Sequence, residues 1–357
     1  MGSGGAQRQL VNLALWLKDK GHEVSFLTYF YKDFYLETLK EAEVPHTCIP
    51  IKNPLSRIIK FRRFIRSGNY DVVIAFLGIP AFLSEMAAIP LKRWTLIIGE
   101  RSANPSILKS AKSRFLRFFH LFADHVVANS QTNMDMVKKV NSFLPDKKCH
   151  VIYNAIDLEK YQPLDGFQFK KDNNLKIIVP ASYRRLKNLL GLIEAVNLLS
   201  EEEKKTIKID WYGSRGPNTN PDFILHKAEK RIEELKLSST FTLNPATNNL
   251  HIKIQQADLL GLFSFFEGLP NSVCEGMACG KPILAASVSD IPSLIEDEVG
   301  GKLFKPDDPN SIAEAIRTFI LRNPTELMQM GQINRVKAKV LFNPEEIFFQ
   351  YFQLFNN

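Results

Sequence analysis

What this sequence lacks narrows the field before anything in it is read. Only four cysteines occur in 357 residues, Cys48, Cys149, Cys274 and Cys279. They form neither a paired framework nor a metal-ligand spacing with histidines, which excludes a disulfide scaffold and a zinc module and favours a reducing cytosol. The seven histidines do not cluster; His22, for example, lies in a turn before a strand. No Asp-x-Asp metal motif is present, and no nucleic-acid recognition motif accompanies the basic residues. No secretory leader is expected, because Met1 is followed at once by Gly2, Ser3, Gly4 and Gly5. The longest apolar stretch, residues 72–91, is interrupted by Gly78, Pro80, Glu85 and Pro90, so it reads as a buried strand, a turn and a short helix rather than a membrane span. Short repeats and low-complexity segments are missing too.

What is present is the composition of a soluble globular protein, 45% hydrophobic and 24% charged. At a typical domain size of ~150 residues the chain divides into about two domains. Short apolar runs alternate with segments of helical period: EVSFLTYF, DVVIAFL, WTLIIGE and HVVANS in the first half, LKIIVPAS, IKIDWYGS, FTLNP, ADLLGLFS and KPILAAS in the second. This alternation predicts βαβ units and hence an α/β fold of two doubly wound parallel sheets. The polar stretch 161–174, broken by Pro163 and Gly166, sets the expected domains at 1–165 and 166–341. Residues 342–357 are expected to form an aromatic amphipathic helix crossing back to the first domain. One feature departs from the pattern: the Gly-rich turn at residues 2–6 has no strand before it. Either the natural start lies upstream and Met1 is internal, or the first sheet lacks a central strand; the former is favoured because the latter leaves two unpaired edges.

The net charge of +8 is uneven: residues 1–165 hold 23 Lys and Arg against 15 Asp and Glu, while the rest balances at 23 and 23. Arg57, Lys60, Arg62, Arg63 and Arg66, then Lys109, Lys112, Arg114 and Arg117, alternate with Ile and Phe at near-helical spacing. Two readings stand, a basic amphipathic surface for a membrane or a phosphorylated acceptor, and a solvated helix whose Phe residues face the core.

The most informative segment is SFFEGLPNSVCEGMACGKP, Ser264 to Pro282. Its Gly-Leu-Pro turn leads into a helix whose N-terminal N–H groups suit phosphate or sugar oxygens, with Asn271 and Ser272 as expected caps. Glu267 before the turn can accept hydrogen bonds from sugar hydroxyls, and Glu275 within the helix can accept a pair from a ribose diol. The pattern S-x-x-E-G-x-P-x-x-x-x-E-x-M-A-x-G-x-P resembles the donor-site signature of family 4 glycosyltransferases. GGAQRQLVNLALWLKDKGHEV and HVIYNAIDLEKYQP are similar to that family's opening turn and to the end of its first domain.

The resemblance implies a GT-B fold, two Rossmann-like domains facing a cleft, and a retaining transfer from a nucleotide diphosphate sugar without metal or other cofactor. It assigns Glu267, Lys187 and Arg184 to catalysis, with Glu267 orienting the sugar and the cations holding the departing diphosphate. It assigns Glu275, Gly268, Leu269, Asn271, Ser272 and Arg185 to donor binding, and Gly4 and Gly5 to a backbone approach to diphosphate or acceptor. Relatives place an Arg where Ser182 stands, so either Arg184 or Arg185 substitutes for it. Where many relatives carry a His, this chain reads GERSANP, which makes Glu100 and Arg101 the polar candidates. UDP is the expected carrier, ahead of GDP. A lipid-linked diphosphate sugar at the inner membrane face is the expected acceptor, in the setting of surface polysaccharide assembly, with no nucleic-acid partner. Alternatives of other classes are a nucleotide-sugar epimerase or hydrolase on the same fold and a catalytically inactive sugar-nucleotide-binding subunit.

Overall fold

The computed structural model describes residues 4–101, 105–169, 174–216, 220 and 222–355. Contacts divide the chain into two units: residues up to Ala155 joined by those from Pro344 onward, and Ile156 to Asn343. The division falls earlier than 165/166 because the intervening residues are tied to the second unit. The Ile156 N–H donates to the Phe342 carbonyl, and the Arg335 guanidinium donates to the carbonyls of Leu158 and Tyr161.

In the first unit, β1 (Phe26–Thr28) and β2 (His46–Cys48) form one parallel pair. A separate parallel sheet runs β3 (Val72–Phe76), β4 (Thr95–Glu100), β5 (His125–Ala128) and β6 (Cys149–Val151). No strand among the described residues joins β1 to β3, so the first sheet is divided where a doubly wound sheet is continuous. The helix Gly5–Asp19 serves both parts: its Val11 and Ala14 pack with Phe26, Leu39 and Val44, and its Leu13 and Leu17 pack with Phe76, Ile97 and Val127. The C-terminal helix Pro344–Gln353 completes that second cluster with Ile347, Phe348 and Tyr351. The apolar stretch 72–91 resolves into β3 and the helix Gly78–Ala88.

The second unit is one continuous parallel sheet in the order β12-β11-β10-β7-β8-β9: β7 (Leu175–Pro180), β8 (Ile207–Gly213), β9 (Phe241–Pro245), β10 (Leu259–Leu262), β11 (Ile283–Ala286) and β12 (Gly301–Phe304). Strands covered on both faces read as continuous apolar runs, and β10 and β11 are buried at every residue. After β7 the chain winds outward through β8 and β9, then returns to place β10 on the other side of β7. The order reverses between these two neighbours, so the loops at their C-terminal ends splay apart and leave a crevice where α/β sheets take ligands.

Candidate active site

The two loops at that reversal carry the sequence-predicted residues. After β7 the backbone is held by a latch: the Trp211 indole donates to the Ala181 carbonyl at 2.6 Å, and the Tyr183 hydroxyl donates to the Asn244 carbonyl at 2.7 Å. The chain then makes a short 3-10 turn, Arg185–Lys187, ended by Asn188 in the left-handed region. The Asn188 side-chain amide donates to the Pro306 carbonyl at 2.7 Å, which stabilises that unusual backbone. The loop after β10 docks alongside, its Phe265 N–H donating to the Leu186 carbonyl, and the Glu267 N–H donates to the Ser289 hydroxyl at 3.1 Å.

These backbone bonds bring Lys187 and Glu267 together: the ammonium donates to Glu267 Oε1 at 2.5 Å, with both side chains largely but not wholly shielded. Gly268 and Leu269 form the turn that follows, Leu269 being buried. The helix Asn271–Ala278 starts at Pro270, which is its N-cap, and no side chain caps it. Asn271 and Ser272 are therefore the first helical residues rather than its caps. Proline fixes the entry geometry, and its carbonyl takes the N–H groups of Val273 and Cys274. Glu275, on the same helix, is buried at 3% exposure. Part of the motif is structural: Gly280 has φ +67°, the left-handed turn that ends this helix and that a side chain would disfavour.

Arg184 is not drawn into this group. Its guanidinium pairs with Asp222 at 2.6 Å, and Arg185 lies exposed beside it, its N–H on the Asp222 carbonyl. Ser182 instead lines a cavity of about 190 Å³ with Pro180, Ala181, Tyr212, Ala246, Thr247 and Leu250, at the C-terminal ends of β7, β8 and β9.

The first unit carries the other candidates. Gly4 is the extended N-cap of the helix Gly5–Asp19, with no side-chain cap there; Met1 to Ser3, the start of that Gly-rich turn, lie outside the described residues. Glu100 ends β4 and is buried, bonded to Arg117 at 2.7 Å and to His120 Nε2 at 3.0 Å. The other ring nitrogen of His120 meets Glu85 at 2.5 Å. Burial alone would drive His120 toward neutrality, but the two carboxylates outweigh it and raise its pKa to about 9. Burial also raises the pKa of Glu85, whereas Glu100, despite the same penalty, is lowered by His120 and Arg117. Arg101 stacks over Phe76 at 4.1 Å and donates to Asn154 at 3.0 Å and to the Tyr351 hydroxyl. Ser102 to Asn104 of the same loop lie outside the described residues. Glu85 and His120 escaped the sequence reading, because nothing in their spacing marks residues contributed by three separate elements as neighbours. Among the described residues no group of three His, Cys, Asp or Glu is arranged to hold a metal ion.

Residues 3–160 match the family described as Glycosyltransferase Family 4, and residues 162–337 match Glycosyl transferases group 1. The chain belongs to the family 4 (group 1) glycosyltransferases. It is 28% identical, over 90% of its length and 88% of the relative's, to the N-acetylgalactosamine-N,N'-diacetylbacillosaminyl-diphospho-undecaprenol 4-alpha-N-acetylgalactosaminyltransferase of Campylobacter jejuni. It is 22% identical to the N-acetyl-alpha-D-glucosaminyl L-malate synthase of Bacillus anthracis over 98% of this chain and 92% of that one. Among solved structures it resembles Anabaena HepE in complex with UDP and glucose, with a TM-score of 0.82, 19% identity and coverage of 99% and 96% of the two chains. The fold is GT-B, and this chain is a glycosyltransferase.

Proposed function

We propose that this glycosyltransferase moves a hexose or N-acetylhexosamine, with retention at the anomeric carbon, from a UDP-sugar to a lipid-linked or glycan acceptor in cell-surface polysaccharide assembly. The observation that carries the reading is the Lys187–Glu267 pair at the strand reversal of the second sheet, with Glu275 eight residues further on. Glu275 takes the ribose diol, and the cavity around Ser182 and Tyr212 takes the base. Glu267 orients the sugar. As the bond from the anomeric carbon to the diphosphate oxygen breaks, Lys187 turns from Glu267 to the growing negative charge, assisted by Arg185 or Arg184 and by the uncapped helix end. The acceptor oxygen attacks on the same face, and its proton passes to the departing phosphate. No step in this account calls on a metal ion.

The Campylobacter relative, whose name specifies an undecaprenyl diphosphate-linked acceptor, supports the lipid-linked reading, as does the excess of positive charge in the first unit. No described helix is long and apolar enough to cross a membrane, and the reading sets the enzyme at the cytoplasmic face as a peripheral protein. The test is turnover of a panel of UDP- and GDP-sugars with membrane extract as acceptor, with and without added metal. UDP or GDP release coupled to labelled lipid supports the proposal. Donor conversion independent of acceptor would support an epimerase or hydrolase, and nucleotide binding without any release an inactive binding subunit.

A further inference from the structure

Of the cations that the sequence pattern sets on two basic helices, the structure withdraws several. Arg62 donates to the carbonyls of Met86 and Ile89, and Arg66 to those of Ala87 and Leu91, so both close the end of the helix Gly78–Ala88. Arg57 is spent on the Ile51 and Lys52 carbonyls and stacks on Tyr29 at 5.1 Å. Arg117 is buried against Glu100. The remaining five, Lys60 and Arg63 on the helix Pro54–Ser67 and Lys109, Lys112 and Arg114 on the segment 106–118, are exposed and make no ion pair among the described residues.

The apolar residues beside them are not in the core. Leu55 and Ile59 are 72% and 62% exposed, four residues apart on one helix face; Phe115, Phe118 and Phe122 are 57%, 49% and 40% exposed at intervals of three and four on the next. Phe119 lies beneath, in ring contact with Phe82, Phe115, Phe118 and Phe122 at 5.1 to 6.1 Å, so the outer rings stand on a rigid base. The helix Gly78–Ala88 packs against both basic helices, which makes them members of one layer. Neither 54–67 nor 106–122 contains a single Asp or Glu. Protruding aromatic and aliphatic groups flanked by unpaired cations, with no carboxylate among them, match an anionic interface that has an apolar layer just beneath its charge.

We propose that this face docks the enzyme on a bilayer rich in anionic phospholipid, with Phe115, Phe118, Phe122, Leu55 and Ile59 entering the acyl boundary and Lys60, Arg63, Lys109, Lys112 and Arg114 engaging headgroup phosphates. A soluble polyanion fits less well, because it would leave the aromatic stripe in water. The inference rests on the lipid-acceptor reading for its purpose, while its observations are those of the surface itself.

Flotation of the full-length protein with phosphatidylcholine vesicles, with and without phosphatidylglycerol, tests it. The parent is expected to float with the anionic vesicles and to release at high salt. F115S/F118S should lose about tenfold or more in vesicle affinity, and K109Q/K112Q/R114Q should lose roughly fivefold for each cation removed together with most of the salt dependence. The exposed single variant Lys112→Glu, which disturbs no ring contact, serves as a second probe should the aromatic variant unfold. Failure to float, binding undiminished in F115S/F118S or Lys112→Glu, or preference for a nucleic-acid competitor over the vesicles would each overturn the proposal. Acceptor-dependent UDP release from a UDP-sugar, measured on the same samples with detergent-solubilised membrane extract, reports on transfer without vesicle docking, so a failed docking surface and a failed transferase reading give different results.

Discussion

Replacing Lys187 with alanine separates what this lysine does for the fold from what it does for the reaction. In the resting protein it pairs with Glu267 at 2.5 Å with side-chain exposures of 22% and 13%. A pair that still reaches solvent contributes about 1 kcal/mol or less to stability, so the unfolding midpoint should move little. In the proposed transfer the ammonium meets charge that develops only as the diphosphate departs. Loss of one such donor costs about 100- to 1000-fold in kcat, roughly 3 to 4 kcal/mol. Single-turnover UDP release, alongside UDP affinity by calorimetry, separates the two effects: affinity should fall modestly and the chemical step severely. The Glu267→Gln variant and the double variant complete a cycle, and because the two groups touch, their losses should not add. A K187A enzyme that releases UDP within about threefold of the parent rate would remove Lys187 from the chemistry and with it the central assignment.

Glu275→Ala should weaken UDP binding by about 10- to 100-fold, the range for losing hydrogen bonds to a charged acceptor, while sparing GDP discrimination; unchanged affinity in calorimetry would refute the ribose contact. Gly213→Ala should destabilise the second unit and lower donor affinity together, since an added Cβ would lie 1.9 Å from the Ala181 carbonyl oxygen and push on the loop that leads to Lys187. Arg117→Ala takes from buried Glu100 one of its two cationic partners, leaving it His120 alone, and is expected to cost up to about 3 kcal/mol in denaturant melts of the first unit. His120, raised above its unfolded value of about 6.5 to about 9, contributes stability that is complete below the lower value and lost as pH climbs through the higher one. Glu85, also raised, acts in the same direction at lower pH. Chemical denaturation should therefore show the first unit weakening between neutral pH and pH about 9 by at most roughly 3 kcal/mol, a slope that His120→Gln should flatten.

The parts of this molecule that were legible in its sequence are those in which neighbours in space are also neighbours in the chain or share its period. The strands β5, β10 and β11, buried at every residue, and β4, buried at all but Thr95, announce themselves as apolar runs. The three-residue strands HTC and CHV carry too few apolar positions to do so. Lys187 and Glu267 could be named because each follows a readable strand and the GT-B resemblance supplies their roles; that they touch depends on β10 returning beside β7, which periodicity does not encode. The buried group of Glu85, Glu100, Arg117 and His120 draws on a helix, a strand end and the helical segment after it, and only packing assembles it. The same limit applies to the basic helices, whose amphipathic pattern was plain but whose arginines could not be sorted into those holding carbonyls and those facing water.

The closing helix has a consequence for how this protein is made. Ile347, Phe348 and Tyr351 complete the cluster begun by Leu13 and Leu17, and the Phe355 carbonyl accepts a hydrogen bond from the Thr95 hydroxyl. During synthesis the second unit, a contiguous stretch ending at Asn343, can emerge whole and fold, whereas the first unit must wait for the helix Pro344–Gln353, which is translated after it. Until then the apolar surface around Phe76 and Ile97 stays uncovered. Birth order and folding order are thereby reversed, and a chain that stops at Asn343 would keep an intact second unit while leaving the first a substrate for chaperones and proteases.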